Sequence, residues 1–173
     1  MLTFKIASLL SQPDGVQEKY ELDESLSFVD DPRILPTARI TVSVLLMNLT
    51  HEVNVQLKDI MFEIEMVCDR CLRHFKQQIH IPLAEREFIT DLDPSDISED
   101  EDIFLVDMRT RTIDITEMLR QEILLHFPSK AVCLDGCKGF CSQCGVDLNE
   151  RACDCKQDGQ MKPLKFLRKL LDM

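Results

Sequence analysis

Residues 40–66 read ITVSVLLMNLTHEVNVQLKDIMFEIEM, and this stretch decides the fold class. Ile40, Val42, Val44 and Leu46 alternate with Thr41, Ser43 and Leu45. Val53, Val55 and Leu57 repeat the pattern with Glu52, Asn54 and Gln56 between them. Ile60, Phe62, Ile64 and Met66 repeat it again, and Phe75, Gln77, Ile79 and Ile81 give a weaker fourth run. A period of two means strands with one buried and one wet face. The breaks near Asn48, Lys58–Asp59 and Cys68–Cys71 are short, which predicts an antiparallel meander of hairpins, open or barrel-like. Outward on the N-terminal side, Thr3 to Leu10 predicts a further strand. Residues 11–37 contain Pro13, Gly15, Pro32 and Pro36 and are expected to be mostly irregular.

On the C-terminal side, residues 91–102 hold seven acids in twelve positions and read as a solvated loop. IFLVD at 103–107 reads as a short buried strand. Asp114 then predicts a helix start over about 114–127, with Glu117 three residues on as in a capping box. Ile115, Met118, Leu119, Ile123 and Phe127 fall on one face of that helix, and Pro128 ends it. The expected class is α+β: a β-rich unit over 1–130, a cysteine-rich module over 131–158 and an amphipathic basic helix over 159–173.

The eight cysteines fall in four pairs: Cys68-x2-Cys71, Cys133-x3-Cys137, Cys141-x2-Cys144 and Cys153-x-Cys155. Two cysteines separated by two residues in a tight turn can point both sulfurs at one tetrahedral ion, and zinc takes four such ligands. FCSQCGVDLNERACDC, residues 140–155, is the strongest signal, with Gly145 letting the chain turn back after Cys144. Cys141, Cys144, Cys153 and Cys155 are therefore one candidate ligand set. Cys68 and Cys71, at a hairpin turn, need two more ligands. Cys133 and Cys137 supply them by remainder, which would pin the C-terminal module to the sheet. Rivals are a Cys68-x2-Cys71-x2-His74 site with one distant cysteine, and a single ion held by Cys133, Cys137, Cys141 and Cys144. Both sulfurs of Cys153-x-Cys155 reaching one ion demands a tight bend, which leaves open that one of the two is a spectator. One or two structural Zn2+ ions are expected, and no catalytic residue.

Composition narrows the function. With 45% hydrophobic and 29% charged residues the chain is of ordinary globular type. No apolar run approaches the ~20 residues of a membrane-spanning helix. The first fifteen residues lack the basic start and cleavage site of a signal peptide. Eight cysteines in such a chain suit a reducing cytoplasm, where paired cysteines more often mean metal than disulfide. A formal net charge of −11 argues against non-specific coating of nucleic acid. The last eighteen residues oppose that charge: Lys156, Lys162, Lys165, Arg168 and Lys169 face only Asp158 and Asp172. Leu164, Leu167, Leu170 and Leu171 form an apolar stripe there, so Lys162, Lys165, Arg168 and Lys169 are candidate contacts to RNA or a partner groove. Full thiolate coordination leaves no position for water. No HExxH, GxSxG or phosphate-loop motif occurs. A redox CxxC at Cys68–Cys71 would open a helix, whereas strands flank it here.

CDRCL at 68–72, DITEMLRQEILLHFPSKAVC at 114–133, CKGFCSQCGVDLN at 137–149, CDC at 153–155 and PLKFLRKLL at 163–171 together resemble the YceD family of bacteria and plastids, the large ribosomal RNA subunit accumulation proteins. The resemblance covers nearly the whole chain. One departure is Gln160-Met161-Lys162-Pro163, where the family often has an aspartate-proline-arginine run. The family also includes members lacking most of the C-terminal cysteines, which marks a metal there as structural. The resemblance implies a non-catalytic bacterial ribosome assembly factor supporting accumulation or processing of large-subunit ribosomal RNA. Its expected partners are pre-50S particles, that RNA, ribosomal proteins or other assembly factors, with no membrane and no small-molecule substrate. The alternatives are a zinc-ribbon transcription accessory factor and, behind it, an rRNA-processing enzyme.

Overall fold

The computed structural model describes residues 1–92 and 103–155. Nine elements follow in order: β1 Thr3–Lys5, α1 Ala7–Leu10, β2 Gln17–Ser25, β3 Arg39–Leu49, β4 Glu52–Val67, β5 His74–Ile89, β6 Phe104–Leu105, β7 Thr112–Asp114 and α2 Thr116–Leu125. Strands β2 to β5 form an antiparallel meander, and β6 adds to β5 in parallel, giving a five-stranded mixed sheet in the order β2-β3-β4-β5-β6. The sheet is open, not closed into a barrel. Strands β1 and β7 pair separately. One face of the sheet shares a single apolar core with β1, α1, β7 and α2.

The alternation in residues 40–66 maps onto that face. Ile40, Val42, Val44 and Leu46 of β3 are all buried. In β4 the buried set runs Val53, Val55, Leu57 and then changes phase to Ile60, Phe62, Ile64 and Met66. The break expected at Lys58–Asp59 is therefore not a turn. It is a β-bulge, seen as a register shift between Thr41 and Ser43 of β3, with Asp59 at φ 52°. One extra residue keeps both halves of a sixteen-residue strand facing the core. The pairing of β4 with β5 skips Asp59 and Pro82, where proline has no N–H to give. β5 changes phase there too, from Ile79 and Ile81 to Ala84 and Phe88.

Three further expectations are refined. Residues 11–37 are mostly irregular, as expected, but they also contain β2 at Gln17–Ser25. It is an edge strand, so its polar side chains meet water and only Tyr20 and Leu22 pack against the core. The segment Thr3–Leu10 is strand only to Lys5, then one turn of helix. The helix expected over 114–127 is ten residues, Thr116–Leu125. Asp114 belongs to β7, where its carboxylate accepts the Thr116 N–H at 2.9 Å. Glu117 turns instead to Arg120 at 2.8 Å, so no capping box forms.

The inward face of α2 carries Met118, Leu119 and Ile123 into the core, together with Glu122. Glu122 is anchored by Arg86 of β5, 2.6 Å away. Beyond the helix, the Arg33 guanidinium lies 4.0 Å over the Phe127 ring while gripping Asp31 through two hydrogen bonds. These contacts fix where the chain leaves α2, and hence where the later cysteines begin. Asp59→Gly should leave the urea midpoint unchanged or raise stability by up to about 1 kcal/mol, since glycine adopts that φ freely. Asp59→Val should cost about 1–2 kcal/mol. Equal tolerance of both would contradict the bulge assignment.

Candidate metal centre

Two cysteine knuckles share one backbone pattern. In the first, the Cys68 N–H donates to the Arg73 carbonyl at 2.9 Å and the Leu72 N–H to the Cys68 carbonyl at 2.9 Å. In the second, the Cys141 N–H donates to the Val146 carbonyl at 2.8 Å and the Gly145 N–H to the Cys141 carbonyl at 2.8 Å. The residue after each second cysteine is left-handed, Leu72 at φ 57° and Gly145 at φ 71°. Glycine takes that conformation freely, whereas Leu72 takes it at a cost of about 1–2 kcal/mol. The first knuckle is the β4–β5 turn. The second is the tip of a short hairpin closed by a Phe140–Asp147 bridge.

The eight cysteines gather into two groups of four that could each hold a metal ion. Cys68, Cys71, Cys133 and Cys137 form the inner group, and Cys141, Cys144, Cys153 and Cys155 the outer. Within each, all four Sγ atoms lie within 4.8 Å of one another. A tetrahedron of zinc–sulfur bonds of about 2.3 Å has edges of roughly 3.8 Å. The Cys68–Cys137 and Cys71–Cys133 sulfurs, at 3.8 and 3.6 Å, match that spacing and are far beyond a disulfide bond. His74 is in neither group, and its Nδ1 faces Glu65 at 3.5 Å. Cys133 and Cys137 join the first knuckle, not the second, and neither Cys153 nor Cys155 stands apart.

The donor sets suit a cation. Burial works against charge on Cys68, but the backbone N–H groups of Cys133, Cys71 and Arg70 bring its thiol down to about 6. At Cys141 the N–H groups of Cys144 and Gln143 bring the thiol to about 6. The donors sit two and three residues past the cysteine in both knuckles, as the shared backbone pattern requires. Cys133 is pushed up to about 12, by burial and then by Cys71, and Cys155 to about 12, by Cys144 and then by burial. Four thiols this close cannot all ionise unless a cation lies among them, and a divalent ion reverses that balance.

Residues that the cysteine spacing does not reveal hold the groups in place. Asp69 accepts the Ala131 N–H at 2.8 Å and returns its own N–H to the Ala131 carbonyl at 2.8 Å, which sets Cys133 beside the first knuckle. Gly139, at φ 76°, passes so close that a Cβ would meet the Arg70 carbonyl oxygen at 2.8 Å. Asn149 lies in the outer group's loop, yet its amide donates to Cys137 Sγ of the inner group at 3.5 Å and its Oδ1 accepts the Lys138 N–H at 2.7 Å. Arg73 of the first knuckle reaches Asp147 at 2.9 Å and Glu150 at 2.8 Å. The Asp147-x-Asn149 turn was the visible hint, because an aspartate commonly accepts the N–H two residues on. The candidate tail contacts Lys162, Lys165, Arg168 and Lys169 lie outside the described residues, as does the acidic run from 93 to 102.

With the cysteine architecture in place, comparison with known proteins becomes decisive. The family model described as "Large ribosomal RNA subunit accumulation protein YceD" matches residues 59–171, from the β4 bulge through both cysteine groups. The chain belongs to the YceD family. It is 39% identical over 61 residues to large ribosomal RNA subunit accumulation protein YCED homolog 1, chloroplastic, of Arabidopsis thaliana, covering 34% of this chain and 19% of the plant protein. It is 30% identical over 81 residues to uncharacterized proteins of Mycobacterium bovis and Mycobacterium tuberculosis, covering 47% of this chain and 38% of each relative. The chain thus spans well under half the length of these relatives. No solved structure matches it. No helix among the described residues is long and apolar enough to cross a membrane.

Cys68→Ser should speed limited proteolysis within residues 130–155 by at least about tenfold, because the inner group joins that segment to the sheet. Unchanged cleavage there would exclude a shared ion.

Proposed function

We propose that this YceD-family chain is a non-catalytic assembly factor that supports accumulation or processing of large-subunit ribosomal RNA, with one structural zinc ion in each cysteine group. The observation that carries the reading is the gathering of all eight cysteines into two four-sulfur sets within the family-matched region. Four thiolates fill a tetrahedral shell, so such an ion folds the chain and keeps no site for substrate or water. Zinc suits these sets better than calcium or magnesium, which take oxygen ligands. In this reading residues 131–158 act as a metal-held module on the β-rich unit, and 159–173 as a basic tail. Eight cysteines gathered as metal ligands rather than disulfides suit a reducing cytoplasm.

Net charge sets the mode of docking. A chain of −11 meets a ribosomal precursor through local contacts rather than broad attraction, and through basic ribosomal proteins as well as RNA. Lys162, Lys165, Arg168 and Lys169 would supply contacts from the tail. The competing reading, a zinc-ribbon transcription accessory factor, draws on the doubled knuckle. Sucrose-gradient sedimentation of the tagged chain separates the two. Comigration with large-subunit precursors that fades as salt rises is expected. Confinement to light fractions, with co-purification of RNA polymerase, would favour the transcription reading.

A further inference from the structure

We propose that the turn between β6 and β7 is a contact surface for an RNA strand, gripped at its phosphates by Lys5, Arg109 and Arg111. The inference rests on the reading of the chain as a factor for large-subunit RNA and adds a site distant in sequence from both the cysteines and the tail.

The turn is rigid. The Asp107 N–H donates to the Thr112 carbonyl at 2.9 Å and the Thr112 N–H to the Asp107 carbonyl at 3.1 Å, closing residues 108–111 into a tight loop. The Asp107 carboxylate accepts the Arg109 and Thr110 N–H groups at 2.9 and 3.3 Å. β1 lies alongside: Lys5 pairs with Thr112, and the Ile6 N–H donates to the Arg111 carbonyl at 2.9 Å. Three cations from two segments thus meet at one tip.

All three are exposed, and none makes an ion pair among the described residues. Lys58, Arg70, Lys130, Lys138 and Arg151 likewise make none. Lys19, Arg33, Arg39, Arg73, Lys76, Arg86 and Arg120 each hold a carboxylate. Around the tip, the Asp107 carboxylate is held by its own turn and keeps its negative charge beside Arg109. Asp114 is taken by Thr116, and Asp91, which lines the same depression as Arg109, by His51 and Thr90.

The backbone supplies a second, independent observation. Arg111 sits at φ 54°, where glycine or asparagine is favoured. Arginine takes that conformation at a cost that glycine would remove, so the residue type there is not the one folding alone favours. Thr110 and Thr112, whose hydroxyls lie 2.7 Å apart, add donors beside the cations.

The test uses the full chain and deproteinised large-subunit ribosomal RNA in a filter-binding titration across salt. Lys5→Glu/Arg109→Glu/Arg111→Glu should weaken retention at low salt by at least about tenfold. It should also flatten the slope of log K against log salt by roughly 2, at about 0.7 per phosphate contact on single strands. Arg111→Gly separates folding from binding: its urea midpoint should stay or rise while RNA affinity falls about threefold. Wild-type affinity and slope in the triple variant would overturn the proposal, as would full affinity in Arg111→Gly. A wild-type chain that cosediments with precursor particles yet does not bind naked RNA would overturn the RNA contact and leave the assembly reading standing. If the triple variant kept naked-RNA binding but left the particles, the tip would contact protein and the proposal would be wrong.

Discussion

The fold depends on one constraint: the sulfurs of Cys68 and Cys71 must meet those of Cys133 and Cys137, across sixty-one intervening residues. Ala131 is the one residue of 129–155 in the apolar core, so burial alone cannot hold that segment to the sheet. A four-sulfur group around a divalent ion can, because structural zinc supplies roughly 10–16 kcal/mol in small modules. The surrounding details serve the same junction. Asp69 clamps Ala131, Gly139 lets the chains touch, and Arg33 stacked on Phe127 aims the chain out of α2. Asn149 extends the junction from the inner group to the outer one, so the two groups form one assembly.

The sheet serves this junction through its own irregularity. The bulge at Asp59 lets β4 run sixteen residues without losing its buried face, carrying Cys68 to the far end of the strand. A straight register would have turned Ile60 to Met66 into the water. The first knuckle therefore stands at the tip of a long, stiff hairpin, where its partners can reach it from beyond α2.

Much of this was legible in the sequence. The period-two runs in residues 40–66 placed three buried stretches correctly, because each has a full wet and dry face. The phase change at Lys58–Asp59 was visible too, but a turn and a bulge leave the same mark on a pattern, and only the partner strand tells them apart. β2 escaped notice because an edge strand needs few apolar residues: Tyr20 and Leu22 suffice. The short strand β6 was legible in the apolar run at 103–107, but its parallel pairing was not, since that is set by β5. At the metal centre, Cys-x2-Cys spacing announced each knuckle. Which distant pair completed the first stayed open, because spacing encodes local geometry and not the meeting of two elements. Asp69 was silent for the same reason. The tip at Arg111 carries no motif, and its strain appears only in the backbone.

In the proposed reading, a chain of net charge −11 meets RNA at chosen points rather than over a broad surface. That account stands on the metal centre, and native mass spectrometry of the intact chain, purified under reducing conditions with zinc, tests it most directly. The account predicts a mass increase of two zinc ions, with all eight thiols shielded from alkylation until a chelator removes both. A chain that carries one ion or none, with Cys68, Cys71, Cys133 and Cys137 freely alkylated in the folded state, would contradict it.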